Sequence, residues 1–314
     1  MRTGFYSHPD CQLHDMGNDH PESPARLQAI HDQIIASRIA DHLEHRTPPL
    51  ASDAMLASVH TDAAIALVRE HVPSPGSSAR YQLDPDTAIN AYSLVAALRA
   101  AGAATAATDA VISGELQNAF CAIRPPGHHA TPSAPMGFCL FNNVAIAARR
   151  ALDVHGLERV AIVDFDVHHG NGTQDAFADE PRVMMVSFYQ HPFYPYTANT
   201  ESRTGLHNML NQPLPAYTGG EVVRQLVSER WLPALHAHRP QMIFISAGFD
   251  AHREDDLGQM ALVEADYAWI TRQLMIVARE HAQGRIVSCL EGGYNLSALG
   301  RSVVAHLKAL AEID

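Results

Sequence analysis

The chain has 314 residues, 46% of them apolar and 18% charged, with a formal charge of −12 at neutral pH and a pI near 5.9. That composition fits one large globular α/β domain spanning residues 1–314. It argues against direct nucleic-acid binding through bulk electrostatics, because an acidic protein attracts cationic ligands instead.

Along the chain, Thr3–Tyr6 reads as a first short strand. The opening residues lack the apolar core of a signal peptide, and the longest uninterrupted apolar runs are too short to span a membrane. The expectation is a cytoplasmic protein with no membrane partner. Ser23 signals the cap of a helix over Pro24–Ile39. Pro73–Ser78 is a loop too short to link domains. An alanine-rich helix is expected over Thr87–Ile112, closing at Gly114. A strand at Ala119–Ile123 and a helix over Asn143–His155 follow. Next come strands at Val160–Phe165 and Val183–Ser187, then a helix over Glu221–His238. A strand at Met242–Ser246, a helix over Glu264–His281 and a strand at Ile286–Leu290 complete the pattern. Continuously apolar strands suit a parallel sheet covered on both faces. Their alternation with helices indicates a doubly wound α/β architecture, with the active site beyond the carboxyl ends of the strands. Cys11, Cys121, Cys139 and Cys289 are scattered without metal-ligand spacing and read as reduced core thiols.

Four strands run directly into polar clusters. Ala119–Ile123 leads to Arg-Pro-Pro-Gly-His-His at 124–129. Val160–Val163 leads to Asp-Phe-Asp-Val-His-His-Gly-Asn-Gly-Thr at 164–173. Met242–Ser246 leads to Ala-Gly-Phe-Asp at 247–250, and Ile286–Leu290 to Glu-Gly-Gly-Tyr at 291–294. Asp166 and His168 are two residues apart at a strand end, where side chains i and i+2 point the same way. Asp250, ending another strand beside the uncrowded Gly248, is the best third ligand. Three protein ligands and an open position make a catalytic zinc site.

Together, in this order, these clusters resemble the histone deacetylase and acetylpolyamine amidohydrolase superfamily, from His20-Pro21-Glu22-Ser23-Pro24-Ala25-Arg26 through Tyr294. The resemblance implies the arginase-deacetylase fold, a mainly parallel open sheet flanked by helices. It implies Zn2+ ligands at Asp166, His168 and Asp250, tandem active-site histidines at His128 and His129, and a catalytic tyrosine at Tyr294. Asp164 would orient His128. Asn171 stands beside His129, where some members carry Asp, and is typical of the class II branch.

From these residues a mechanism follows for a hydrolase of linear amides. The metal polarises the carbonyl and lowers the pKa of water. Tyr294 supports the oxyanion. His129 takes and returns a proton, while His128 beside Asp164 stays more cationic. Gly137 and Phe138 resemble one wall of the family's tunnel, and Tyr194 the other. Leu257 stands where some polyamine-selective relatives carry Glu, favouring acetyllysine in peptides or proteins over acetylated small amines. Asp255 and Asp256 read as a solvated charged loop. Asp84 and Asp86 lie where relatives anchor the substrate backbone, and Arg26 matches an inner-pocket residue. A potassium ion would sit at Asp164, Asp166, His168, Ser187 and Phe188 by the same resemblance. The competing readings are an acetylpolyamine amidohydrolase, an arginase-type enzyme with two manganese ions, and a catalytically silent binder of acetylated ligands. Oligomeric state has no sequence signature here.

Overall fold

The structure is a computed structural model that describes residues 2–196 and 208–313. Eight strands form one sheet whose pairings are all parallel. Across the sheet they run Leu43–Arg46, Thr3–Tyr6, Asn118–Cys121, Ile286–Leu290, Ile243–Ala247, Val160–Asp164, Val183–Gln190 and Met209–Leu214. The expected strands are all present, with ends shifted by a few residues.

The apolar runs behave as two-faced strands. Ala161 and Val163 enter one core together with Ile243 and Ile245. Val160 and Ile162 enter the opposite core with Met242 and Phe244. Side chains alternate across a strand, so a run that is apolar throughout needs cover on both faces. Helices Ala25–Ala36, Glu264–His281 and Leu296–Leu310 cover the first face. Helices Ser93–Ile112 and Asn143–Asp153 cover the second. Each fully buried Phe or Leu in these cores contributes about 1.5–3 kcal/mol.

Several element boundaries differ from expectation for local reasons. The first long helix stops at Ala36 because Arg38 turns left-handed, with φ of 58°, before a 3₁₀ turn at Ile39–His42. The alanine-rich helix starts at Ser93, not Thr87. Ala88–Ile89 instead forms a small antiparallel ladder with Tyr81–Gln82. That helix is long and apolar enough to cross a membrane, but most of it is buried, as befits a core helix. The helix expected over Glu221–His238 is interrupted by a π turn at Val227–Trp231. Pro233 lacks the N–H that a regular turn would need there.

Two buried histidines set an acid limit on this fold. His306 Nδ1 lies 2.6 Å from Thr271 Oγ1 and its Nε2 lies 2.9 Å from Ser288 Oγ. His60 Nε2 accepts the Asn142 N–H at 2.9 Å. Burial lowers their pKa values to about 3 and about 4. Below pH 6.5 the unfolded chain therefore binds protons that the folded chain refuses. The stability these neutral rings contribute is full above pH 6.5 and is lost as pH falls from there through about 4 and 3. Urea melts at pH 7, 5.5 and 4.5 should show the unfolding midpoint falling steadily. A constant midpoint would contradict the account.

Candidate active site

The four motif-bearing strands are immediate neighbours in the sheet, so their carboxyl ends deliver four polar clusters to one edge. Asp166, His168 and Asp250 converge there. His168 Nδ1 lies 3.0 Å from Asp166 Oδ1 and 3.2 Å from Asp250 Oδ2. One donor atom from each residue lies within 4.8 Å of the other two.

The residues fit a divalent metal. Both carboxylates are fully buried, and Asp250 Oδ2 has no hydrogen-bond partner. The other Asp250 oxygen accepts the Val167 N–H at 2.9 Å, which fixes the carboxylate plane. Burial, then the neighbouring Asp166, pushes Asp250 up to about 7. Burial opposes charge on His168, yet the two carboxylates hold it up to about 10. The trio thus demands positive charge at the point its donors share. Two glycines admit this approach: a Cβ on Gly248 would collide with the Asp166 carboxylate, and one on Gly292 with Asp250.

The tandem histidines stack beside the trio, with ring centroids 4.0 Å apart, and their partners differ. His128 Nδ1 is 3.0 Å from Asp164 Oδ2, and its Nε2 is 3.8 Å from Asp166 Oδ2. Burial works against charge on His128, but Asp166 and Asp164 outweigh it and hold the ring well above its ordinary value. His129 Nδ1 is 2.7 Å from Asn171 Oδ1. Burial, then the cationic neighbours His128 and His168, hold His129 well below its ordinary value. With Nδ1–H donated to the neutral amide oxygen, Nε2 is left as an acceptor. Asp164 adds to the charge that Asp166 places beside His128, whereas burial and the neighbouring histidines, not Asn171, lower His129.

Tyr294 closes the site, and its loop is pinned from three sides. Arg26 donates through Nε to the Gly293 carbonyl at 2.7 Å and through Nη2 to the Glu291 carbonyl, and its guanidinium lies 4.9 Å from the Tyr294 ring centroid. Arg26 is fully buried and held by Glu22, so it braces this loop. Glu291 joins the loop to the histidines, with Oε2 accepting the Gly127 and His128 N–H groups at 2.7 and 3.1 Å.

The third brace is Asp255, which corrects the reading of a solvated loop. Asp255 is buried, while Asp256 is exposed. Asp255 Oδ2 accepts the Tyr294 and Asn295 N–H groups at 2.6 and 2.9 Å, and Oδ1 accepts Leu257 N–H at 3.0 Å. One side chain thus ties the segment bearing Leu257 to the one bearing Tyr294. Asp255→Asn replaces one acceptor oxygen by a donor. If Tyr294 acts in the reaction, this change is expected to lower kcat by about 10-fold with KM less affected, since misplacing a reacting group costs rate more than binding. Steady-state kinetics checks this, and an unchanged kcat would contradict it.

A pocket of about 250 Å³ leads down to these groups, lined by His129, Gly137, Phe138, His168, Phe193, Tyr194, Leu257 and Tyr294, with Asp86, Tyr196 and Asp256 completing the lining. Phe138 holds a left-handed φ of 67°. Its N–H donates to Thr87 Oγ1 at 3.0 Å, and the Gly137 N–H donates to Asp86 Oδ1 at 3.2 Å. Such strain persists where surrounding bonds over-determine it. Tyr194 packs edge-on to His129, with ring centroids 5.2 Å apart. Phe193, which the sequence reading passed over, stacks on His168 at 5.4 Å and 18°. Asp84 accepts the Asp86 and Thr87 N–H groups and shapes this turn.

At the expected potassium position, Asp164 and Ser187 are register partners on adjacent strands. Ser187 Oγ donates to Asn211 Oδ1 at 2.8 Å, and Phe188 is buried against Trp231.

Comparisons with known proteins bear on the family and the fold. The histone deacetylase domain profile matches residues 20–310. The "Probable deacetylase" of Archaeoglobus fulgidus is 37% identical over all of this chain and 88% of its own. The "Histone deacetylase-like amidohydrolase" of Pseudomonas aeruginosa is 37% identical, over 88% of this chain and 73% of its own. The crystal structure of the HDA15 HD domain matches with a TM-score of 0.92 at 32% identity, covering 99% of this chain and 90% of that one.

Proposed function

The chain belongs to the histone deacetylase family, and from that premise we propose that it is a zinc-dependent deacetylase of acetylated primary amines, with acetyllysine in peptides or proteins as its leading substrate. The observation that carries this reading is the convergence of His168 Nδ1 with the buried Asp166 and Asp250 carboxylates beneath a narrow aromatic pocket.

Asp166, His168 and Asp250 would hold the zinc. When bound, zinc supplies Lewis acidity, which polarises the acetyl carbonyl and acidifies water. The chain's own groups do the rest. Phe138, Phe193, Tyr194 and Leu257 clasp the aliphatic stem of the substrate and exclude water from it. His129, neutral and with Nε2 open, takes a proton from the attacking water and returns it to the leaving amine. His128, protonated against Asp164, stabilises the negative charge that builds nearby. Tyr294 donates its hydroxyl proton in a hydrogen bond to the oxygen that gains charge. Potassium would bind the backbone carbonyls of Asp164, Asp166, His168 and Phe188 with Ser187.

A second reading, acetylpolyamine hydrolysis, is favoured by Asp86 and Asp256, two carboxylates that line the pocket and would attract a distant ammonium. Leu257 favours the first. Acetate release from an acetyllysine peptide, N-acetylputrescine and N-acetylspermidine decides between them. The peptide should give the highest kcat/KM, and preference for the amines would sink the substrate assignment. Leu257→Glu should move the kcat/KM ratio toward acetylspermidine by about 10-fold, the equivalent of ~1.4 kcal/mol. No movement would show that Leu257 does not set selectivity.

A further inference from the structure

A second cluster of metal-ligand type lies outside the catalytic pocket. His236 belongs to helix Leu232–His238, and Glu280 and His281 to the last turn of helix Glu264–His281. His236 Nδ1 lies 3.0 Å from His281 Nε2 and 3.5 Å from Glu280 Oε2, and His281 Nε2 lies 3.4 Å from Glu280 Oε1. We propose that His236, His281 and Glu280 form a surface site for a divalent transition metal, Zn2+ or Ni2+ in chemical class, that clamps these two helices together.

Four ligands arranged tetrahedrally around zinc at about 2.0–2.1 Å stand about 3.3 Å apart. The two imidazole nitrogens are 3.0 Å apart, each has one Glu280 oxygen within 3.5 Å, and one donor atom from each residue lies within 4.8 Å of the other two, so a modest rotation of Glu280 brings three donors to that spacing. Imidazole nitrogens suit Zn, Ni and Cu, whereas Mg and Ca prefer all-oxygen sites. Both imidazoles lie in the last turns of their helices, where the backbone dipole favours a cation. His281 is mostly buried and His236 partly exposed, so the site has a fixed wall and a solvent-facing position for a fourth ligand.

This cluster is remote from the catalytic trio. His238 leads into the amino end of strand Ile243–Ala247, and His281 into that of Ile286–Leu290. Asp250 and Tyr294 follow the carboxyl ends of the same strands. Five residues of strand separate the two edges by about 15 Å.

The test is metal content per chain after metal-stripped protein is incubated with Zn2+ and desalted. The expected result is two equivalents for the unsubstituted protein and one for His236→Ala or His281→Ala. Glu280→Gln should weaken the second equivalent by about 10-fold or more. His168→Ala should retain one equivalent, the outer one, while His236→Ala with one zinc should keep full deacetylase activity. A single equivalent in the unsubstituted protein, lost in His168→Ala, would overturn the proposal. So would two equivalents that survive both His236→Ala and His281→Ala, since the second ion would then lie elsewhere.

Discussion

Tyr294→Phe is expected to lower kcat by roughly 10²–10³-fold, with KM changed by no more than about threefold. The substitution removes one hydroxyl and leaves the ring, so the contacts that position it survive. Those contacts are the Phe138 edge at 6.0 Å between centroids and the Arg26 guanidinium over the ring. The loop itself is fixed through backbone groups held by Arg26 and Asp255, which the substitution does not touch. On the proposed mechanism, what is lost is a donor to charge that develops only as the amide carbonyl is attacked, and a donor of that kind acts on the transition state more than on the bound substrate. A rise in KM with kcat unchanged would instead place Tyr294 in substrate binding.

His168→Ala is expected to abolish activity, by about 10³-fold or more, and to remove the catalytic metal. The remaining Asp166 and Asp250 are buried carboxylates close to one another. Without His168 they would share a low-dielectric site in which, among the described residues, His128 is the positive partner that remains beside Asp166. Repulsion then favours protonation of Asp250, which burial and Asp166 already push up to about 7, and a protonated carboxyl is a poor ligand. Metal content and acetate release should fall together. Metal loss with activity intact would show that catalysis does not need the ion.

The candidate site residues were legible because their clusters follow apolar strands whose direction the sequence announces. Asp166 and His168 do meet, at 3.0 Å, but through a bend past strand Val160–Asp164, where the His168 N–H donates to Asp166 Oδ1, and not through the extended backbone their i, i+2 spacing suggested. The Asp164 and Asn171 partners were readable in the sequence, but the Asp166 carboxylate beside His128 and the burial of His129 were not. What stayed hidden depended on tertiary contact. Asp255 and Asp256 are chemically identical neighbours, and only folding turns one inward onto the Tyr294 loop. Phe193 and Tyr194 are adjacent aromatics, and the loop's course brings both to the pocket rather than one. Leu43–Arg46 and Met209–Leu214 lie at the two ends of the strand order among the described residues, and they carry polar residues rather than the apolar signature of central strands. Pro213 within the second is tolerated only at such an edge. Glu22 and Arg124 form a fully buried ion pair behind the site, for which separation in sequence gave no cue.

The most direct test of the whole account is acetate release from an acetyllysine peptide by metal-stripped protein, measured as Zn2+ is returned. Activity should be absent without metal and should be restored as the Asp166–His168–Asp250 site fills, with Tyr294→Phe binding the same zinc but releasing little acetate. Full activity in the stripped protein, or none after zinc has bound, would contradict the claim that this chain is a zinc-dependent deacetylase.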